Sequence, residues 1–174
     1  MRRLRHTGGM TIVELLVVIV VIGILLVFAV TMFQRARMAG NESAAIGAMR
    51  AINSAQFAYM SGCGQGRYAS SYTVLGQKPA SGGQPYLSED IPAVTEPTRN
   101  GYVFRMARGM DGVAASADCN GTATQTSYYA TATPVAQGNT GERSFATNQR
   151  GAVFQSNGEV PPAEPFDDGD QPAQ

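Results

Sequence analysis

Glu14 is the one ionisable side chain in Met10–Phe33, an apolar run otherwise interrupted only by Thr11, Gly23 and Thr31. A carboxylate well inside a membrane segment costs about 3 kcal/mol to place there, so it marks a function unless it snorkels to the nearby interface. Other chemistry is sparse. His6 is the sole histidine and precedes the apolar run, so the body holds no Ser-His, Cys-His or histidine-rich metal constellation. Gly62, Gly64 and Gly66 are spaced by single residues with no Lys-Ser/Thr behind them, so no phosphate-cradling loop is present. The chain is not expected to be an enzyme. Asp167, Asp168 and Asp170 cluster oxygens as calcium would need, although such a run is more often a solvated charged tail. Phe28, Phe33, Phe57 and Tyr59 fit plain packing better than an electron path. Asn41-Glu42-Ser43 and Asn120-Gly121-Thr122 match the glycosylation acceptor pattern.

The elements that position these residues follow from length and patterning. With 174 residues the chain can form one domain plus a membrane segment. Its formal net charge is zero, which gives no basic surface for nucleic acid. Arg2, Arg3 and Arg5 all precede the apolar run, and without them acidic residues outnumber basic ones by three. At about 1.5 Å per residue, Met10–Phe33 is long enough for a ~30 Å hydrocarbon core. A secretory signal peptide would have a shorter apolar stretch, although Val27-Phe28-Ala29 offers a cleavage site. A plain signal anchor explains the length but not Glu14. Arg35 and Arg37 flank the far side and weaken the orientation signal.

Beyond Phe33, Ala45, Ala48, Met49, Ile52, Ala55, Gln56 and Tyr59 recur at helical spacing, with Arg50 and Asn53 placed on other faces. Gly40-Asn41 is a point where the helix can loosen, and it should stop near Ser61-Gly62. A loop over 62–100, with a short helix at Ser70–Leu75, precedes alternating strand patterns in Tyr102–Ala107 and Tyr128–Thr133. Two further strands are expected at Arg143–Thr147 and Ala152–Gln155. Asp111-Gly112, the Gly138–Gly141 segment and Asn157-Gly158 supply turns. The expected fold class is α+β: a long N-terminal helix, its first half membrane-embedded, packed on a small four-stranded antiparallel β-meander.

Gly8-Gly9-Met10-Thr11-Ile12-Val13-Glu14-Leu15-Leu16 resembles the type IV prepilin signature, in which a glycine, a hydrophobic residue, Thr, two aliphatics and Glu open an apolar helix. The family comprises type IV pilins, type II secretion pseudopilins and competence pilins. The resemblance covers about the first forty residues and implies cleavage between Gly9 and Met10 by a prepilin peptidase that also N-methylates Met10. It further implies that Glu14 neutralises the terminal amine of a neighbouring subunit, so that the chain assembles with itself and other pilin-like subunits on an inner-membrane platform. The implied location is the bacterial inner membrane as a single-pass protein before assembly, and an extracellular or periplasmic filament afterwards. Two positions depart from the pattern: Met10 stands where phenylalanine is usual, and Thr31 replaces a helix proline. Gly23 alone is then left to give the helix flexibility.

The expected organisation is a cleaved basic leader at 1–9, a membrane and filament-core helix at 10–33 and its amphipathic continuation at 34–61. A loop-and-sheet domain at 62–160 and an acidic, Pro-rich, mobile tail at 161–174 complete it. Cys63 and Cys119 fall on the side assigned as oxidising, where a disulfide is expected over two free thiols. The competing function is a monomeric, membrane-anchored periplasmic binding module. No cofactor is expected beyond the calcium candidates.

Overall fold

The computed structural model describes residues 10–166 and 170–173. Gly8 and Gly9, with the rest of the leader, and the calcium candidates Asp167 and Asp168 lie outside the described residues. The chain divides into two units, residues 1–36 and 37–174. From Ile12 onward the first is the opening of helix α1, which runs Ile12–Ser61 over 50 residues. Every residue from Met10 to Ala36 is exposed. An 18-residue window here has a mean hydropathy of 3.3, so by length and composition the segment can cross a membrane.

In the second unit α1 becomes amphipathic. Ala45, Ile46, Ala48, Met49, Ile52, Ala55 and Tyr59 are buried at three- and four-residue spacing, packing one stripe on the sheet. Asn53 corrects the expectation: it is buried at 5% exposure on that same stripe. Its amide donates to Gly151 O at 2.8 Å, while Oδ1 accepts from Tyr128 Oη at 2.8 Å and Thr147 Oγ1 at 3.0 Å. Gly40-Asn41 does not break the helix, and Asn41 instead donates to Thr140 O at 2.9 Å. Past Ser61 the short helix α2 spans Tyr72–Leu75, its first turn capped by Ser71 Oγ accepting from Val74 N–H.

The main sheet is antiparallel with six strands in the order β1-β2-β5-β6-β7-β8. The expected meander is its centre: β2 (Tyr102–Arg108), β5 (Tyr128–Pro134), β6 (Arg143–Asn148) and β7 (Val153–Asn157). Register places Phe104 opposite Ala132, Ala130 opposite Thr147 and Thr147 opposite Val153. Those residues lie on the inner face, with the fully buried Tyr102, Tyr128 and Phe145. Two-residue edges, β1 (Thr98–Arg99) and β8 (Gln171–Pro172), extend the sheet. A separate hairpin of β3 (Ala114–Ala117) and β4 (Ala123–Gln125) interrupts the meander, so the Asp111-Gly112 turn leads into this excursion rather than directly into β5. At the β5–β6 turn, a Cβ on Gly141 would overlap the Tyr102 hydroxyl, so only glycine fits.

The described part of the tail is packed, which corrects the expectation of mobility. Phe166 stacks on Phe154 with centroids 4.4 Å apart, and Tyr129 Oη donates to Pro162 O at 2.5 Å. Ala173 N–H donates to Val153 O, completing the β8 edge. The composition signalled disorder, but the outer face of β5–β7 offers aromatic surface that the tail covers.

Candidate functional site

The helix opens on a local hydrogen-bond pattern. Thr11 Oγ1 accepts the Glu14 N–H at 3.2 Å, and Thr11 O accepts the Leu15 N–H at 3.1 Å. Thr11 thus occupies the N-cap, satisfying one of the donors that a helix start leaves without an internal partner. Thr11-Ile12-Val13-Glu14 has the spacing of a capping box, with Glu14 third in the helix. A carboxylate there also complements the positive end of the helix dipole. Met10, 70% exposed, immediately precedes the cap.

Downstream, Gly23 is helical, and a Cβ added to it would meet nothing within 4 Å. Thr31 donates its hydroxyl to Phe28 O at 2.9 Å. Its polar group is thereby satisfied inside the chain and the helix continues unbroken. Phe28 and Phe33 are exposed at 64% and 63% with the rest of the run.

In the second unit Cys63 and Cys119 form a disulfide, with their Cα atoms 4.8 Å apart. The Cys119 N–H donates to Cys63 O at 3.0 Å alongside it. Tyr59 donates to Asp118 Oδ2 at 2.6 Å, and Asp118 Oδ1 accepts the Asn120 and Thr122 amides at 2.9 and 2.7 Å. Helix end and hairpin are therefore joined covalently and by a buried carboxylate. The Asn120 amide is engaged too, accepting from Ala80 N–H at 2.7 Å and donating to Lys78 O at 3.3 Å.

Sequence reasoning missed the ion pair of Glu42 and Arg143. Glu42 is 7% exposed; its Oε1 accepts the Glu142 and Arg143 amides at 2.8 and 3.2 Å. Its Oε2 accepts Arg143 Nε at 2.8 Å and meets Nη2 at 2.6 Å. Burial raises the Tyr59, Tyr72, Tyr102 and Tyr128 phenols above their ordinary range, with Asp118 adding to the effect at Tyr59. Burial, followed by the Glu164 carboxylate, pushes Tyr129 up to about 12.

Of the calcium candidates, Asp170 alone is described, and no group of three or more His, Cys, Asp or Glu that could hold a metal occurs among the described residues. A cavity of about 560 Å³ on the outer sheet face is lined by Val103, Arg105, Tyr129, Thr131 and Glu159, among others. Arg105 is held there by Glu96 at 3.0 Å.

Residues 4–30 match the family model described as the prokaryotic N-terminal methylation motif. The chain thus carries the prepilin signature of type IV pilins and pseudopilins. No curated protein and no solved structure shows a significant match to it.

Proposed function

We propose that this chain is a structural subunit that polymerises through its N-terminal helix into a type IV pilus or a type II secretion pseudopilus. The observation that carries the proposal is the methylation motif running directly into an apolar helical segment of which no residue is buried. In this reading a prepilin peptidase cuts between Gly9 and Met10 and methylates the new amine. The segment then waits in the inner membrane before joining the filament.

Lipid tails are as apolar as leucine, so moving the helix from bilayer to filament gains little from the hydrophobic effect. Close packing and polar pairs must supply the drive. In low dielectric the Glu14 carboxylate and the Met10 ammonium of a neighbouring subunit attract strongly, and either one left alone is penalised. Glu14 therefore acts after insertion, at the step where one helix slots beside others. Homotypic contacts, other pilin-like subunits and an inner-membrane platform are the partners.

The test expresses Glu14→Ala as the sole copy, then measures membrane-held protein and sheared filaments separately. The variant should be processed to a methylated Met10 terminus and inserted, yet yield almost no filaments. Filaments at normal yield would make Glu14 a snorkelling bystander. A wild-type chain that keeps its leader and stays monomeric would instead describe an anchored binding module.

A further inference from the structure

A helix start is hard to place where water is absent, because its leading N–H groups lack partners within the helix. Thr11 meets part of that demand by accepting from Glu14 N–H through its hydroxyl, while its carbonyl accepts Leu15 N–H in the first bond of the helix itself. The consequence reaches beyond the backbone. With the first turn closed, Glu14 is fixed as the third helical residue, and side chains in a helix tilt towards its N-terminus. Its carboxylate is thereby directed to the end of the helix at which Met10 lies. Were the first turn to fray, Glu14 would leave the helix and its carboxylate would lose that fixed direction.

The geometry points to Thr11 as a positioning residue: by capping the helix through its hydroxyl, it holds the Glu14 carboxylate in the orientation needed to pair with a Met10 amine in the filament. This role rests on the filament reading above. It needs the acceptor oxygen and not the methyl group, which separates it from a role in packing.

Thr11→Val keeps the branched shape and removes the acceptor, whereas Thr11→Ser keeps the acceptor and removes the methyl. Two readouts are taken on the full chain: processing and filament yield in cells with each variant as sole copy, and amide hydrogen exchange at Glu14 and Leu15 in the processed protein in micelles. Thr11→Val is expected to be processed normally and to lose protection at these amides by about fivefold, the population shift of a lost cap. Its filament yield should fall at least as far, and Thr11→Ser should restore both. A Thr11→Val chain that loses protection but assembles at wild-type yield overturns the role, leaving only a local cap. Failure of Thr11→Ser to restore assembly overturns it as well, because the oxygen would not be the feature used. A Thr11→Val chain that stays unprocessed while Thr11→Ser is cut moves the hydroxyl to peptidase recognition, which also overturns the assignment. A wild-type chain that forms no filament overturns the reading beneath it, an outcome distinguished by the wild-type control alone.

Discussion

Glu42→Ala is expected to lower the stability of the globular unit by about 3 kcal/mol, the low end for breaking a buried ion pair. The carboxylate serves the Glu142 amide, the Arg143 amide and the Arg143 guanidinium at once. Truncation strands two backbone donors, each worth roughly 1–3 kcal/mol when buried without a partner. It also strands the guanidinium, but the Arg143 side chain is 35% exposed and keeps its 2.7 Å bond to Gln155 Oε1, so it can rehydrate. That relief is why the low end of the range applies. The assay is urea unfolding of the processed chain in micelles, followed by tyrosine fluorescence. At a slope of about 2 kcal/mol per molar urea, the midpoint should drop by about 1.5 M. Glu42→Gln, which retains an acceptor oxygen for the amides, should recover part of the loss. A Glu42→Ala midpoint indistinguishable from wild type would show that water already satisfies these groups.

Three further outcomes are expected. Replacing Cys63 and Cys119 by serine opens a link of sequence separation 56, which the chain-entropy account values at about 4 kcal/mol; unchanged thermal unfolding would contradict this. Because burial raises the Tyr59, Tyr72, Tyr102 and Tyr128 phenols and lifts Tyr129 to about 12, the folded state keeps protons that the unfolded chain releases above about pH 10. Stability should hold below that pH and fall above it by about 1.4 kcal/mol per pH unit per tyrosine, with phenolate absorbance and unfolding rising together; full phenolate absorbance from a still-folded protein would refute it. Gly9→Val should accumulate uncut precursor, since a Cβ branch crowds the residue before the cut; mature-size protein from that variant would move the cleavage site.

Signals that live within a few residues were legible in the sequence. The 3.6-residue stripe on α1, the alternation in β2 and β5 and the short helix all needed only local reading. The β3–β4 hairpin was not legible, because Ala114–Ala117 and Ala123–Gln125 are mostly small residues without an alternating pattern. Asn53 sits at helical spacing from Met49 and Gln56, yet its polarity argued against the core. What admits it is Tyr128 and Thr147, 75 and 94 residues away, which no local window contains. Glu42 was missed for the same reason, its donors lying about a hundred residues downstream. The edge strand β8 has two residues, one of them a proline, so only Phe154 and Gln155 opposite reveal it. At the candidate site Glu14 stands out against apolar neighbours, whereas Thr11 reads as an interruption of the run and a position of the signature, not as a cap. Its cap was present in the Thr-x-x-Glu spacing and was masked by the strength of the hydropathy signal.

The two units differ in how their groups are satisfied, and the difference bears on which residues can be changed without loss of folding. In the globular unit polar side chains are buried with partners from the same chain. Gln56 both donates to Ala69 O and accepts Ala69 N–H, at 3.1 and 2.9 Å, so the helix binds a loop as a neighbouring strand would. The Tyr59, Tyr72, Tyr102 and Tyr128 hydroxyls each donate to Asp118, Arg105 O, Arg143 O or Asn53 within 3.2 Å. Ser127 Oγ and Gln149 Oε1 are the buried exceptions among the described residues. Over Met10–Ala36 the polar side chains Thr11 and Thr31 are satisfied locally, while the apolar ones are exposed. Substitutions within the globular core should therefore register as lost stability. Substitutions in the apolar run should leave the fold of the globular unit intact and register in whatever surrounds the helix, first lipid and then, in the proposed filament, other copies of the same segment.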